Sequence, residues 1–153
     1  LFYDNELLLV ASFSKSRFNK KYDWECTRCT VHPNKMVIGG VSKLFKFFIK
    51  TNNPDSIITY SDLRLGEGKT YLHCGFKRID TSMPNYWYFN KKNQDQIYSR
   101  VNFQKHKLSS LFEDFDPEMT EYQNMLKNGW DRIWDCGNAV YAYINTVKRK
   151  DSL

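Results

Sequence analysis

A pair of glycines followed by a lysine is the first place where this chain could do chemistry. Gly39 and Gly40 stand directly before an apolar stripe with helical spacing, and Lys43 lies one turn into that helix. A Gly-Gly turn lets the backbone come close to a ligand, and the free amides at a helix start attract anions. Residues 38–43 therefore indicate a phosphate or pyrophosphate site, although a glycine pair before a helix is more often only a turn.

Polar side chains cluster in a second stretch, residues 60–76. Ser61 and Asp62 end a short apolar run, and Tyr71 and His73 follow in a predicted helix beyond a glycine-containing loop. Because ligands often bind where sheet strands end, Tyr71 or His73 could be an acid–base group, and Asp62 could orient or deprotonate a nucleophile. Structural roles fit equally, with Tyr71 at the core edge, His73 exposed and Asp62 capping the loop.

A Cys-x-x-Cys pair, Cys26 and Cys29, raises the question of a zinc site, with His32 and the His73-Cys74 pair as further ligands. Residues i and i+3 of a regular strand point to opposite faces, and no second pair has the spacing of a zinc finger. We therefore expect no metal. Because the chain has no export signal, we also expect free thiols.

Charge and aromatic content favour a nucleic-acid partner. The 153 residues carry 23 Lys and Arg against 17 Asp and Glu, a net charge of +6, and include 11 Phe, 10 Tyr and 4 Trp. Such side chains can hold a phosphate backbone and stack bases, or can equally form a solvated surface over an aromatic core. The basic candidates for nucleic-acid contact are Lys15, Arg17, Lys20, Lys21, Arg28, Arg64, Lys105 and Lys107.

Length and hydropathy limit the class of protein. The 41% hydrophobic content can bury a core, which excludes a disordered tail. No run approaches the roughly 18 apolar residues of a membrane helix, and the N-terminus has no signal-peptide pattern. We predict a cytoplasmic protein with no membrane partner. Because the chain begins at Leu1 without a methionine, we expect a piece of a longer protein.

The apolar pattern predicts an α+β fold with a single mixed, mostly antiparallel sheet flanked by helices. The clearest helix follows Gly40, a strand at 56–61 is apolar on both faces, and Thr120 with Gln123 forms a capping box. The other predicted elements are strands at 1–3, 6–14, 24–31, 76–79 and 85–89, helices at 69–74 and 103–115, a polar loop after residue 90, and a closing hairpin of strands 130–134 and 139–146. Residues 75–89 and 129–144 share the same order of features, namely a glycine, a strand, a turn and an aromatic strand. We predict one domain, 1–153, with a core at 1–90 and a C-terminal part at 91–153.

Over residues 1–89 this order of elements resembles the GNAT superfamily of acyl-CoA-dependent acyltransferases. The resemblance implies a GNAT-like fold, with a sheet that splays open beside residues 38–42 to seat a pantetheine arm. Tyr71, which opens a Tyr-x-x-x-Gly-Phe element, falls where that family has its general-acid tyrosine. Acetyl-CoA or another acyl-CoA would be bound by Ile38, Gly39, Gly40, Val41, Ser42 and Lys43.

A second resemblance covers most of the chain. Residues 16–29, 39–49, 58–64, 75–89, 103–108 and 128–138 look like the C-terminal region of phage-encoded homing endonucleases of the Hef type, whose nuclease domain lies upstream. Tyr-Ser-Asp-x-Arg at 60–64 and the Tyr-x-x-x-Gly-Phe element are also similar to Mom-type phage proteins, GNAT-like enzymes that modify adenine in DNA. These resemblances imply DNA as a partner, an upstream nuclease domain, and a location in the cytoplasm of an infected bacterial cell.

Two hypotheses follow. The first is a GNAT-type acyltransferase acting on nucleic acid or another phage or host target, in which Tyr71 protonates the leaving thiolate and Asp62 or Ser61 positions the acceptor. The second is a non-catalytic DNA-binding module of a homing endonuclease that keeps only the GNAT fold. Under both hypotheses we expect the positively charged residues at 15–21 and 43–50 to flank the ligand cleft beside residues 38–42.

Overall fold

The computed structural model describes residues 1–146 and confirms the α+β class. The contacts divide the chain into two compact units. Unit 1 consists of Leu1–Ser82 and the described residues from Gly137 onward, and unit 2 consists of Met83–Cys136. No helix within residues 1–146 is long and apolar enough to cross a bilayer.

Unit 1 is built on a five-stranded sheet. Its elements are β1 (Phe2–Tyr3), β2 (Glu6–Leu7), β3 (Leu9–Lys15), β4 (Trp24–Val31), α1 (Gly40–Asn52), β5 (Ser56–Asp62), α2 (Thr70–His73), β6 (Lys77–Thr81) and β10 (Asn138–Ile144). The order across the sheet is β3-β4-β5-β10-β6, in which β4 and β5 run parallel and the other neighbours antiparallel. β1 and β2 form a separate hairpin whose turn residues, Asp4 and Asn5, have positive φ as their types predict.

The core of unit 1 is aromatic, because α1 turns its apolar stripe toward the sheet. Phe45 is fully buried, and its ring contacts those of Phe13, Tyr71 and Phe76 edge-on at centroid distances of 5.3, 5.9 and 5.2 Å. Phe48 stacks on Phe13 at 3.7 Å. Burial of one such ring contributes about 2–3 kcal/mol, so this stripe fixes the helix on the sheet.

β4 departs from regular alternation at a β-bulge. Ser12 of β3 lies opposite Arg28 and Phe13 lies opposite Cys26, which leaves Thr27 as an extra residue. Because of the bulge, Cys29 packs against the same core cluster as Cys26, so the predicted placement of the two thiols on opposite faces is wrong. Within residues 1–146 no group of three His, Cys, Asp or Glu side chains could hold a metal ion.

Unit 2 is a three-stranded antiparallel sheet packed with helices. Its elements are β7 (Tyr86–Asn90), β8 (Asn93–Ser99), a 3₁₀ helix (Arg100–Phe103), α3 (Lys105–Leu111), α4 (Glu121–Lys127) and β9 (Trp130–Trp134), with sheet order β8-β7-β9. Its buried cluster contains Tyr88, Phe103, Leu108 and Met125. The predicted capping box at the start of α4 is confirmed.

A buried asparagine organises the segment that leads into α4. Asn124 is fully buried, and its side-chain amide donates to the carbonyls of Asp116, Met119 and Thr120 at 2.8, 3.4 and 3.2 Å. Its side-chain oxygen accepts a hydrogen bond from the Asp116 amide at 2.8 Å. One polar side chain therefore ties several backbone groups together.

Three predictions of topology are wrong. Residues 1–146 form three sheets rather than one. The closing hairpin does not exist, because β9 pairs with β7 in unit 2 while β10 pairs with β5 and β6 in unit 1. The predicted polar loop after residue 90 contains β8, an edge strand exposed along most of its length, which therefore has no apolar alternation to reveal it.

Candidate functional site

The parallel strands β4 and β5 pair over only part of their length. Their register joins Trp24, Glu25 and Cys26 to residues 57–59, and no further pairs follow, although β4 continues to Val31 and β5 to Asp62. Backbone groups beyond this point are thus released from the ladder between the two strands. The sheet is therefore open between the C-terminal ends of β4 and β5, which lead into α1 and α2.

A cavity of about 190 Å³ lies at this interruption. It is bounded by the second half of β4, the end of β5, the first turn of α1 and the loop before α2. Its lining residues are Cys29, Val31, Val41, Ser61, Gly68, Thr70 and Tyr71. The site is therefore small and carries no formal charge in its lining at neutral pH.

Tyr71 is the candidate acid of this cavity. Its ring packs against those of Phe45 and Tyr141 at 5.9 and 5.4 Å, and burial raises the pKa of its phenol. A phenol is protonated at neutral pH without any shift, and a raised pKa makes it a weaker acid, so the candidacy of Tyr71 rests on its position in the cavity lining. His73, the alternative acid–base candidate, is exposed on α2 and does not line the cavity.

Ser61 and Asp62, the other two catalytic candidates, differ in availability. Ser61 lines the cavity, and its hydroxyl donates to the Gly66 carbonyl at 2.9 Å. The Asp62 carboxylate is held by Arg64, with Nη2 to Oδ2 at 2.6 Å and Nε to Oδ1 at 3.1 Å. These hydrogen bonds lower the pKa of Asp62, so it stays ionised and is a poor proton acceptor.

The two glycines at the start of α1 have different environments. Gly39 is exposed with φ +71°, and nothing lies within 4 Å of a Cβ built there. Gly40 is buried, and a Cβ there would lie 2.5 Å from Val37 Cγ1, so its small size serves packing. Lys43 donates its amide to the Gly39 carbonyl at 3.0 Å, which leaves the amides of residues 41 and 42 ahead of the first intrahelical bond.

A second cavity, of about 250 Å³, borders the other side of this helix start. Ile38, Gly39, Gly40 and Lys43 line it together with residues 1–3, Leu8 and Val37. Val41 lines the first cavity instead. The predicted cofactor loop thus lies between two cavities, and its first turn contains no acidic residue.

The basic candidates do not form one surface. Lys15 ends β3, and Arg17, Lys20 and Lys21 belong to the connection that enters β4 at the end opposite the cavity, so the expected placement of residues 15–21 beside the cleft is wrong. Several are engaged locally: Lys15 pairs with Asp23, and the ammonium groups of Lys20, Lys105 and Lys107 donate to the carbonyls of Ser16, Pro117 and Val101. Arg17, Lys21 and Arg28 are exposed, and no ion pair is formed by them within residues 1–146.

Glu25 was missed by the sequence analysis. It lies on β4 and is only 8% exposed, yet its Oε2 has no hydrogen-bond partner among residues 1–146. Burial is the main cause of a raised pKa at Tyr60, and the negative charge of the nearby Glu25 carboxylate raises this pKa further. The sequence feature that could have identified Glu25 is a carboxylate within the predicted strand sequence Trp-Glu-Cys. Buried polar groups normally have hydrogen-bond partners, so a carboxylate buried without one is unusual.

No protein-family model matches the chain, and no curated protein matches it at a significant level.

Proposed function

We propose that this chain is a GNAT-like domain that binds an acyl-CoA and transfers the acyl group to a nucleic acid or to another phage or host target. The observation that carries the proposal is the early end of the β4–β5 pairing, with a cavity in the resulting gap. Such a gap between parallel strands gives an extended chain access to backbone groups that regular pairing would occupy.

The residues around the gap fit the parts of an acyl-CoA. The open turn at Gly39 and the amides of residues 41 and 42, which precede the first intrahelical hydrogen bond of α1, suit a pyrophosphate, with Lys43 as a nearby cation. The uncharged lining of the cavity suits a neutral thioester end. The bound acyl-CoA would supply an activated acyl group.

Within this proposal the thioester C–S bond would break as the acyl carbon bonds to the acceptor. Tyr71 would donate its proton to the departing sulfur and recover the proton that the acceptor loses, through solvent. Ser61 orients the acceptor through its hydroxyl. Asp62 acts indirectly, because its ion pair with Arg64 shapes the turn after β5.

Calorimetry with acetyl-CoA tests the binding step, using two variants that differ only in charge. Gly39→Asp places a carboxylate at the helix start and should weaken binding about tenfold or more, since an anion site there attracts phosphate. Gly39→Asn has nearly the same size and also tolerates positive φ, so it should bind within about threefold of wild type. Equal affinities for the two variants, or no heat from the unmodified protein, would refute the proposal.

A second assay separates binding from transfer. Tyr71→Phe should keep the affinity for acetyl-CoA and lose transfer to a nucleic-acid acceptor, followed with radiolabelled acetyl groups. Full transfer by this variant would remove Tyr71 from its proposed role.

A non-catalytic DNA-binding module of a homing endonuclease is the second candidate, favoured by the exposed loop before β4. Arg17 lies over the ring of Phe18 at 5.8 Å, and Phe18 is 83% exposed. Replacing Arg17 and Lys21 together by Gln should weaken duplex binding and reduce its salt dependence by about two phosphate contacts. Gel shifts with unchanged affinity and salt slope would contradict this function.

A further inference from the structure

The strongest unassigned feature is a cluster of arginines and aromatic rings in unit 2. On β9, the Arg132 guanidinium lies 3.5 Å from the ring centroid of Tyr122, 5.0 Å from that of Tyr86 and 5.4 Å from that of Trp134. Arg100, from the 3₁₀ helix, approaches the Tyr86 ring at 5.4 Å. Two cations thus share one aromatic ring.

The strand register explains why these side chains meet. Tyr86 of β7 lies opposite Trp134 of β9, and Tyr88 lies opposite Arg132. Since side chains alternate along a strand, Tyr86, Tyr88, Arg132 and Trp134 share one face of the sheet. The rings of Tyr86 and Trp134 are 4.9 Å apart.

A carboxylate lies near this cluster, but within residues 1–146 its contacts are with tyrosine hydroxyls and not with the guanidinium groups. Within residues 1–146 neither Arg100 nor Arg132 forms an ion pair, and the buried Nε of Arg132 has no hydrogen-bond partner. Glu121 is the nearby carboxylate, but its Oε1 accepts hydrogen bonds from the hydroxyls of Tyr86 and Tyr88 at 3.2 and 2.9 Å. A guanidinium held only by ring faces keeps its outer donors for another acceptor.

One ring of the cluster is open to solvent. Trp134 is 54% exposed, and Arg100 is also exposed, whereas Arg132 is partly buried. Arg132 lies over the exposed indole, and Arg100 lies over the neighbouring ring of Tyr86, so the cluster combines a stacking surface with phosphate donors. That combination suits a nucleotide unit whose base has a free face.

We infer that Trp134, Arg132 and Arg100 form a binding site for single-stranded nucleic acid, in which an unpaired base stacks on Trp134 and its phosphate is held by the two guanidinium groups. The inference rests on the proposed nucleic-acid partner and specifies that this partner is single-stranded. In a duplex the base faces are covered by their neighbours, so this site should prefer an unpaired strand. A purely structural cluster would instead contribute to stability alone.

Fluorescence anisotropy with labelled oligo(dT), and with a duplex of equal length, tests the inference on the full chain. Trp134→Ala should weaken oligo(dT) binding at least about fivefold, given the usual value of a stacked base, while Trp134→Phe should retain most of the affinity. Ile133→Ala is the matched control, because Ile133 is 50% exposed on the other face of the same strand. Arg100→Gln should also weaken binding, with exposed Lys92→Gln as the charge control.

Thermal denaturation identifies variants that still fold, which matters most for the partly buried Arg132. Equal oligo(dT) affinities of folded Trp134→Ala and Ile133→Ala would overturn the inference, as would preference of the wild-type protein for duplex. Absence of any oligo(dT) binding would also overturn it while leaving acetyl-CoA calorimetry to decide the cavity. A calorimetric failure with intact, Trp134-dependent oligo(dT) binding would refute acyl-CoA binding and retain the strand site.

Discussion

The two units place their candidate chemistry in opposite settings. Unit 1 has an interrupted sheet, and its open cavity is lined by uncharged side chains such as Cys29 and Tyr71. Unit 2 has a sheet whose central strand β7 is paired on both sides, and its candidate groups are cations on aromatic rings. A neutral pocket suits an uncharged group, whereas a cationic aromatic face suits a charged partner.

The two units also differ in the buried residues that organise them. In unit 1 the buried contacts around α1 are made by rings, with Phe45 at their centre. In unit 2 a buried polar residue, Asn124, ties the chain before α4 to the helix itself. The units should therefore respond differently to removal of their central residues.

The largest effect is expected from Phe45→Ala. Loss of a fully buried ring should lower the free energy of unfolding by about 4 kcal/mol through lost burial and a residual cavity. Phe47→Ala on the same helix is the control, since Phe47 is 67% exposed and its loss should cost little. Urea denaturation measures both, and a loss below about 1 kcal/mol for Phe45→Ala would remove the proposed central role of this ring.

Gly68→Ala should have the next largest effect and should act on the cavity itself. Gly68 has φ +70°, and a Cβ there would lie 2.6 Å from Ser61 Cβ and 3.1 Å from Tyr141 Cε2. Backbone strain and crowding together should cost about 3 kcal/mol.

Gly39→Ala separates the two contributions to this loss. Gly39 has a nearly equal φ but open space around a Cβ, so this variant should lose only about 1–2 kcal/mol. Equal melting curves for the two variants would show that crowding at Ser61 does not matter.

In unit 2, Asn124→Ala should lower stability by about 2 kcal/mol, because it leaves backbone groups of the α4 approach without partners. Faster hydrogen exchange should be concentrated at residues 116–127. Asn102→Ala, at an exposed position in the 3₁₀ helix, should leave exchange unchanged. Uniform acceleration across unit 1 instead would disprove a local role for Asn124.

The smallest effect, over the range from pH 8 to 10, is specific to the thiols of unit 1. Burial raises the pKa of Cys26 from 9.0 to about 12. The unfolded chain therefore ionises first, so stability present below pH 9 is lost between pH 9 and 12, by about 1 kcal/mol over the first pH unit.

Cys26→Ala should flatten this slope, although burial also raises the pKa of Cys29 and Cys74 in the same direction. Cys136→Ala should leave it unchanged, because Cys136 is exposed. Denaturant titrations at pH 8, 9 and 10 compare the three proteins. A steeper slope in Cys26→Ala would contradict the assignment.

The sequence predicts those elements that leave a local signal, such as a helical apolar stripe, a continuous apolar run or a capping pair. α1, β5 and the capping box of α4 follow from apolar spacing and local chemistry. β8 was not predicted, because an exposed edge strand has no apolar pattern in its sequence. The bulge at Thr27 was not predicted, because one extra residue reverses the alternation of side chains without changing the composition of the strand.

Pairing between distant strands is the main feature that local sequence leaves undetermined. Residues 75–89 and 129–144 look like two hairpins, yet each contributes one strand to each of two sheets. For the candidate site, Ser61 and Tyr71 were predicted from their position after a buried strand. Gly68 joins them only through tertiary contacts.

The chain leaves unit 1 and returns to it at neighbouring positions. The Ser82 amide donates to the Asn138 carbonyl at 2.8 Å, where β6 and β10 lie side by side in one sheet. In evolutionary terms residues 83–136 therefore have the form of an insertion into a β-hairpin, and a short glycine-containing turn could replace them. We expect the shortened chain to keep the cavity and lose the oligo(dT) site, and its failure to fold would show that the insertion has become indispensable.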